Sequence, residues 1–236
     1  MAEANEAGRT RVIAITGAFG ALGSAVARAA AGASRLALID FAHVAPAGTP
    51  ANKDVLVLGG VDLTDPAQAK AAVAAILDRF GRLDALINIA GGFRWEMHEG
   101  GDPETWRAMF RMNVETTANA CRAAIPALRA SSSGRIVNIG ANGAMKAAAG
   151  MGAYAASKAG VHRLTEALAE ELKADDVCVN AVLPSIIDTP VNRADMPDAD
   201  PSKWVAPDDL AAVILFLASE PARAVTGALL PVTGRV

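Results

Sequence analysis

The chain has 236 residues, a length typical of one α/β domain, and its 52% hydrophobic content is enough to bury a single large core. A formal net charge of −3, with lysines and arginines scattered along the chain, argues against nucleic-acid binding and favours a small-molecule partner. The polar N-terminus has no apolar signal core, and no apolar run approaches the roughly 18 to 20 residues of a membrane span, so we expect a cytoplasmic protein without membrane contact.

Short apolar runs alternate with segments of helical periodicity along the chain. The runs predict strands at residues 12–16, 35–39, 55–58, 85–88, 135–139 and 177–183. The periodic segments predict helices at residues 21–31, 66–80, 103–129, 151–173 and 207–218. Strands that are hydrophobic throughout and alternate with helices predict an α/β fold, a doubly wound parallel sheet with helices on both faces.

The chain has no repeat and no linker rich in Gly or Ser, so we expect residues 1–236 to form a single domain, with residues 1–10 as a flexible N-terminus. The Pro-rich stretch 184–207 has no clear periodicity, and we expect it to cover a substrate site. Cys121 and Cys178 lie far apart in apolar contexts, and no histidine stands at metal-ligand spacing. The sequence therefore predicts buried thiols and no metal site.

A glycine-rich segment, TGAFGALG at residues 16–23, lies between the first strand and the first helix. Glycine permits a tight turn and lets backbone N–H groups approach a pyrophosphate, which the N-terminus of the following helix also attracts. The segment predicts a Rossmann-type dinucleotide site formed by Gly17, Phe19, Gly20, Ala21, Leu22 and Gly23. Asp40 follows about 20 residues later, where a carboxylate accepts hydrogen bonds from ribose hydroxyls and repels a 2′-phosphate. NAD(H) is therefore favoured over NADP(H) as the cofactor.

Tyr154 and Lys158 stand four residues apart in a helical pattern, so their side chains share one helix face. An ammonium beside a phenol favours the phenolate and lowers the pKa of the phenol from its usual value of about 10. Such a pair suits general acid catalysis on a carbonyl or an imine. The sequence therefore predicts Tyr154 as a proton donor and Lys158 as the group that activates it.

Further motifs follow the glycine segment and Asp40 in a fixed order: Asp62-Leu63, NIAG at 88–91, Asn113, Tyr154-Ala-Ala-Ser-Lys158, and Pro184 with Thr189. With these motifs the chain resembles the short-chain dehydrogenase/reductase family over nearly its full length. The resemblance implies a nicotinamide-dependent oxidoreductase with a Rossmann-type fold. It also implies a homodimer or homotetramer, assembled through the long helices that carry many small residues.

The resemblance assigns roles to the residues at the cofactor. It implies that Asp62 and Leu63 hold the adenine. By the same resemblance, the side of the cleft after the fourth strand is lined by Asn88, Ala90 and Gly91.

The resemblance also assigns roles to the residues at the reacting groups. It implies that Tyr154 transfers the proton, that Lys158 also binds the nicotinamide ribose, and that Asn113 supports a proton-relay water. It further implies that Pro184 and Thr189 contact the carboxamide.

Three positions depart from the usual pattern of this family. Ala21 stands at the middle glycine place of TGxxxGxG, and Ser185 follows Pro184 where the family usually has glycine. Counting back 13 residues from Tyr154 reaches Ala141, where the family usually has a substrate-binding serine. The loss of one preorganised hydrogen-bond donor of this type costs about 2.7 to 4 kcal/mol of transition-state stabilisation.

Three interpretations accommodate Ala141. In the first, the substrate is a quinonoid or imine acceptor that needs no such donor. The chain is similar here to the dihydropteridine reductases of the same family in GALGS, AGG, the Gly140-Ala141 turn and LPxxxDTPxNRxxMPxAD at 183–200. In the second, Asn142 or a backbone N–H replaces the serine, and the protein is a carbonyl reductase or alcohol dehydrogenase. In the third, the protein binds NAD(H) as a catalytically weak sensor or scaffold.

Several side chains are candidates for substrate contact besides Ala141 and Asn142. In the loop after the fourth strand, Phe93 or Trp95 could stack on a flat ring or pack on its own domain. The remaining candidates are Arg94, which could meet an anionic group, His98, which could be a second acid, and Asn192 and Arg193 of the covering loop. We expect His162, two turns beyond Tyr154, to lie at a contact between helices.

Overall fold

The computed structural model describes residues 10–236, and its centre is a parallel sheet of seven strands. The strands are β1 (Val12–Thr16), β2 (Arg35–Ile39), β3 (Val55–Leu58), β4 (Ala85–Asn88), β5 (Arg135–Ile139), β6 (Cys178–Pro184) and β7 (Leu229–Val232). Their order is β3-β2-β1-β4-β5-β6-β7, which confirms the predicted doubly wound sheet. The predicted flexible segment 1–10 lies outside the described residues apart from Thr10.

The sequence pattern does not predict β7. This strand has four residues, pairs only with β6 at the edge of the sheet, and contains Pro231. Proline is tolerated on an edge strand because its missing N–H faces no partner strand. The run Leu229–Val232 is apolar like those of the other strands, but a proline inside so short a run weakens it as a strand signal.

The helices are α1 (Ala21–Ala30), α2 (Pro66–Phe80), α3 (Pro103–Phe110), α4 (Thr116–Arg129), α5 (Gly152–Glu171), α6 (Pro190–Asp195) and α7 (Pro207–Leu217). Two of them begin where the sequence places an acid before a proline: the side chains of Asp65 and Asp102 accept hydrogen bonds from the N–H groups of Ala67 and Glu104. One helix was predicted over 103–129, but a π-helical turn at Arg111–Glu115 divides it into α3 and α4. A π turn of this kind frequently marks a functional site.

The helices form two layers that bury the sheet. Helices α1 and α7 cover one face, and their core includes Val26, Leu210 and Ile214. Helices α2, α4 and α5 cover the other face, where Ile76 and Leu128 are fully buried. Both faces of the central strands are therefore buried from solvent, as their uninterrupted apolar sequence predicts.

The stretch 184–207 has more structure than its sequence pattern indicates. It contains α6 and a parallel bridge between Ile187 and Val205, and both Trp204 and Val205 are buried. A helix of six residues is too short to produce a visible period, which explains why the sequence shows none here. The expectation that this stretch covers a substrate site stays a prediction.

Candidate active site

A cavity of about 720 Å³ opens at the carboxyl ends of β1, β2 and β4. Strands β1 and β4 are neighbours in the sheet. From β1 the chain adds β2 and β3 on one side, and from β4 it adds β5, β6 and β7 on the other side. Ligands of doubly wound sheets bind at this reversal of the strand order. The cavity is lined by these residues predicted for the cofactor: Gly17, Gly20, Ala21, Leu22, Gly23, Asp40, Asp62, Leu63, Ala90, Gly91 and Thr189. The sequence reasoning missed Phe41, Ala108, Arg111, Met112 and Thr116, which also line it.

The glycine segment fits a pyrophosphate by its shape. Gly17 has a φ of +63°, and a Cβ there would lie 2.7 Å from the backbone nitrogen of Ala90. A Cβ on Gly23 would overlap the carbonyl oxygen of Gly17. The N–H groups of residues 21–23 precede the first intrahelical bond, from Ser24 to Gly20, and are free to meet an anion. Only glycine at 17 and 23 leaves the backbone this close to the cavity.

Asp40 is fixed by the backbone at the end of β2. Its Oδ2 accepts a hydrogen bond from the Phe19 N–H at 2.8 Å, and its Oδ1 accepts one from the Ala42 N–H at 2.9 Å. Each carboxylate oxygen retains a further lone pair for a donor in the cavity, such as a ribose hydroxyl. Phe19 itself packs against the core, so its contribution to the site is this backbone N–H and not its ring.

Asp62 and Leu63 form the opposite wall of the cavity. Asp62 Oδ1 accepts hydrogen bonds from the N–H and the hydroxyl of Thr64, at 2.9 and 2.7 Å. The backbone carbonyl of Leu63 accepts a hydrogen bond from Asn119 Nδ2 of α4 at 3.0 Å. This wall therefore has a defined shape before any ligand enters.

The expectation that Asn88 lines the cofactor cleft is wrong for its side chain. Asn88 is buried at the end of β4, and its Nδ2 donates to Asn138 Oδ1 at 2.9 Å. Asn138 Nδ2 in turn donates to the Thr165 hydroxyl of α5 at 2.9 Å. These bonds tie β4, β5 and α5 together beneath the cleft, because an amide in the core requires polar partners there. Pro184 ends β6 and pairs in register with Val232, and its contact with the carboxamide stays a prediction.

Lys158, Asn113 and Gly91 converge beside the cavity. A Cβ on Gly91 would lie 3.5 Å from Lys158 Nζ and 2.5 Å from Asn113 Oδ1. The Asn113 amide accepts from the Gly92 N–H at 3.0 Å and donates to the Ser157 hydroxyl at 3.0 Å. The π turn thus places the Asn113 side chain between the loop after β4 and α5, where its hydrogen bonds connect the two. Ser157 is a further site residue that the sequence reasoning missed.

Tyr154 lies one helical turn before Lys158 and contacts the loop after β4. Its ring meets that of Phe93 edge to face, with the centroids 4.9 Å apart and the planes at 80°. Lys158 Nζ donates to the carbonyl oxygen of Ile139 at 2.8 Å. The phenol and the ammonium therefore stand on one face of α5, at the carboxyl end of β5, as their spacing predicts.

The pKa values of this pair depart from the prediction. Burial raises the pKa of Tyr154 to about 12 and lowers the pKa of Lys158 to about 8. The predicted lowering of the Tyr154 pKa by Lys158 is wrong for this arrangement, because the ammonium is directed at Ile139 and burial disfavours both charges. At neutral pH the phenol is consequently neutral, which is the form that a proton donor requires.

The turn after β5 carries Ala141 and Asn142. Ala141 is buried, and its N–H donates to His162 Nε2 at 3.2 Å, so this backbone donor does not replace a serine. The side-chain amide of Asn142 is partly exposed and has no hydrogen-bond partner among residues 10–236. His162 packs against this turn, where Gly140 leaves room for its ring, and the expected contact with another helix stays a prediction.

The candidate substrate residues of the loop after β4 have separate contacts. Phe93 is half exposed beside Tyr154, whereas Trp95 donates from Nε1 to the carbonyl oxygen of Ala149 at 3.0 Å. Arg94 donates to the Thr105 hydroxyl at 3.3 Å. The ring of His98 stands edge to face with Trp106, with the centroids 6.3 Å apart. Phe93 is therefore the member of this group that reaches the proposed proton donor.

The candidates of the covering loop, Asn192 and Arg193, form hydrogen bonds with other residues of the same loop. The Thr189 hydroxyl accepts the N–H of Asn192, and Asn192 Nδ2 donates to the carbonyl oxygen of Ile187 at 2.7 Å. Arg193 forms a two-point ion pair with Asp188, with distances of 2.6 and 2.8 Å. The polar residues of the DTPxNR sequence are thus used to build the start of α6 and to give the loop its shape.

Three further observations on the described residues concern metal binding, membrane contact and the cysteines. Within residues 10–236, no group of three or more His, Cys, Asp or Glu side chains could hold a metal ion. No helix in this range is long and apolar enough to cross a membrane. Cys121 and Cys178 are both free and buried, and burial raises the pKa of the Cys121 thiol to about 12.

Comparisons with known proteins agree with this geometry. The family model for short chain dehydrogenases matches residues 11–200. The acetoacetyl-CoA reductase of an Acinetobacter species is 32% identical, over 95% of this chain and 96% of that protein. The 3-oxoacyl-(acyl-carrier-protein) reductase FabG of Thermotoga maritima is 32% identical over 79% of this chain and 78% of that protein. A 2,5-dichloro-2,5-cyclohexadiene-1,4-diol dehydrogenase of Sphingobium indicum is 33% identical over 95% of both.

Solved structures give the same picture. Levodione reductase superposes with a TM-score of 0.86 at 28% identity, covering 96% of this chain and 98% of the other. A 3-ketoacyl-(acyl-carrier-protein) reductase from Brucella melitensis, complexed with NADH, superposes with a TM-score of 0.86 at 28% identity. That match covers 95% of this chain and 97% of the other, so the likeness extends over the whole sheet and both helical layers.

Proposed function

The chain belongs to the short-chain dehydrogenase/reductase family, and from this premise we propose that it transfers hydride between NAD(H) and a carbonyl or alcohol substrate. The observation that carries the proposal is that Lys158 and Asn113 meet beside Gly91 of the cavity wall, with Tyr154 one helical turn before Lys158. Tyr154 is the proton donor and acceptor, and the reaction proceeds without the usual serine.

NADH is the proposed cofactor, in preference to NADPH. The glycine segment would hold the pyrophosphate, and Asp40 would accept hydrogen bonds from the adenosine ribose. Support comes from the fixed position of the Asp40 carboxylate, which would repel a 2′-phosphate. When bound, NADH supplies the hydride. Lys158 would hold the nicotinamide ribose, after exchanging its bond to Ile139 for one to the ligand.

The protein side of the reduction is a proton transfer. The neutral phenol of Tyr154 would donate its proton to the substrate oxygen that gains negative charge, and the ammonium of Lys158 would stabilise the resulting phenolate only after it leaves the Ile139 carbonyl oxygen. Phe93 packs edge-on against the Tyr154 ring and limits its rotation. Asn113 keeps α5 and the loop after β4 at a fixed distance, so the donor and the cofactor cleft stay aligned.

Relatives named as reductases of 3-oxoacyl and acetoacetyl thioesters support a carbonyl substrate. A second candidate, the reduction of a quinonoid dihydropterin or another imine, is favoured by Ala141. An activated quinonoid acceptor needs less help from a hydrogen-bond donor than a ketone does. The similarity of 183–200 to dihydropteridine reductases supports a covering loop of similar shape. In this segment Asn192 and Arg193 form hydrogen bonds that shape the start of α6.

An NADH-oxidation assay of the purified protein tests these alternatives. The substrates are 3-oxoacyl thioesters, cyclic and open ketones, aldehydes and quinonoid dihydropterin, each with NADH and with NADPH. We expect turnover of one or more carbonyl substrates with NADH. Turnover of the pterin alone would replace the first proposal by the second. Micromolar NADH binding without any turnover would contradict both and leave the NAD(H)-binding sensor or scaffold.

The remaining expectations stay predictions. A homodimer or homotetramer is expected from the family and is measured by light scattering. Cytoplasmic location and the single-domain organisation over residues 1–236 are likewise expected.

A further inference from the structure

The turn after β5 is held from beneath by a histidine. His162 of α5 is buried, with 2% of its surface exposed, and its Nε2 accepts the Ala141 N–H at 3.2 Å. A Cβ at Gly140 would lie 2.5 Å from the same Nε2 and 2.7 Å from Cδ2 of the ring. Gly140 and His162 therefore fit only as a pair, since any side chain at 140 would displace the ring.

Three successive residues of this turn are fixed by three different partners. The carbonyl oxygen of Ile139 accepts from Lys158 Nζ, the Gly140 N–H donates to Val182 of β6 at 2.9 Å, and the Ala141 N–H donates to His162. Lys158 and His162 are four residues apart on α5, so they support the turn from one helix face. The same face carries Tyr154, a further turn towards the helix start.

We propose that His162 is a positioning residue, whose neutral imidazole holds Ala141 and Asn142 in place at the end of β5 by accepting the Ala141 N–H. The inference rests on the proposed function, because the turn matters only where Tyr154 delivers a proton to a substrate. Accepting at Nε2 requires the ring proton to be on Nδ1. A second proton on Nε2 would point at the Ala141 N–H and force the turn away.

The surroundings of His162 favour the neutral ring. Burial lowers the pKa of His162 below its ordinary value of 6.5, and the charges of Arg163 and Lys158 lower it further. On the side of the sheet, a Cβ at Gly140 would meet the edge of the His162 ring and would lie 3.4 Å from Leu183 Cδ1 of β6, and neither Gly140 nor Leu183 has a titratable side chain. Because the folded-state pKa is lowered, the support is complete above pH 6.5 and is lost as the pH falls through the folded pKa.

The experiment compares His162→Gln, which keeps an uncharged acceptor near the place of Nε2, with His162→Leu, which removes it. The kcat of carbonyl reduction is measured at saturating NADH from pH 5 to 9. We expect His162→Leu to lose about tenfold in kcat at every pH, with the NADH Kd changed less than twofold. We expect His162→Gln to keep at least a third of the activity and to lose the acid limb of the profile. A His162→Leu variant with the wild-type kcat and acid limb would overturn the proposal.

A second readout does not depend on turnover. The chain has three histidines, so the ring nitrogens are assigned by nitrogen NMR with the His162→Gln variant as reference. We expect the Nδ1–H tautomer for His162 and slow hydrogen exchange at the Ala141 amide, accelerated in His162→Leu. An Nε2–H tautomer would overturn the proposal. If the wild-type protein reduces no substrate, the proposed function fails, and these two signals alone decide whether His162 holds the turn.

Discussion

The two ends of the active cleft are built by different means. At the cofactor end, backbone atoms form the surface: Gly17 and Gly23 admit no side chain, and Asp40 is held by two N–H groups. At the substrate end, side chains from distant segments form it, as Phe93 meets Tyr154 across about sixty residues of sequence. A binding surface made of backbone atoms keeps its shape when side chains are substituted, so it suits a cofactor that does not vary. A binding surface made of side chains changes with each substitution. The chemistry of the cofactor is therefore easier to infer than that of the substrate.

The variant with the largest expected effect on kcat removes the proton donor alone. Tyr154→Phe keeps the ring and its contact with Phe93 but deletes the hydroxyl, so we expect kcat to fall about 10²- to 10⁴-fold. The NADH Kd, measured by fluorescence titration, should change less than twofold because the cofactor end is untouched. A variant that kept more than a tenth of the activity would show that another group delivers the proton.

A methyl group at Gly23 tests the cofactor end. In Gly23→Ala the new Cβ would overlap Gly17 O and lie 2.7 Å from the Ala18 Cα, so the segment must move. Overpacking of this kind costs about 1 to 3 kcal/mol, and we expect the NADH Kd to rise about 10- to 100-fold.

The control for Gly23→Ala is a second alanine substitution in the same glycine segment. In Gly20→Ala the Cβ meets only Gly17 O, at an ordinary 3.5 Å, and the backbone φ of −71° suits alanine. We expect this variant to weaken NADH binding much less than Gly23→Ala. Melting temperatures of both proteins control for general loss of the fold. Equal losses of affinity would contradict the packing argument.

The same contrast explains what the sequence could predict. The glycine segment, Asp40 and the Tyr154–Lys158 pair depend on spacing within one or two adjacent elements, which a periodic pattern reveals. The contact of His162 with Ala141 joins a helix to a strand end, and no local pattern marks it. The π turn at Asn113 is likewise set by the loop it meets. Six strands follow from apolar runs, whereas the apolar run of β7 contains Pro231 and is not recognised as a strand.

The charge of Asp40 gives a smaller and more specific test. Asp40→Asn keeps an acceptor for one backbone N–H but removes the charge that would repel a 2′-phosphate. We expect the ratio of kcat/KM for NADPH over NADH to rise about tenfold, which corresponds to about 1.4 kcal/mol. Asp62→Asn is the control, because Asp62 lines the same cavity beside Thr64 and should leave the ratio unchanged. An unchanged ratio in Asp40→Asn would contradict the proposed NADH preference.

The smallest expected effect bears on the substrate end. Ala141→Ser places a hydroxyl on the turn that His162 supports, and a neutral hydrogen bond contributes about 0.5 to 1.5 kcal/mol. We therefore expect kcat/KM for ketones to rise about two- to tenfold, with little change for an activated quinonoid acceptor. If the free amide of Asn142 already fills this role, Ala141→Ser changes neither rate and Asn142→Ala lowers the ketone rate. The two variants together thus decide whether the turn lacks a donor or carries it one residue later.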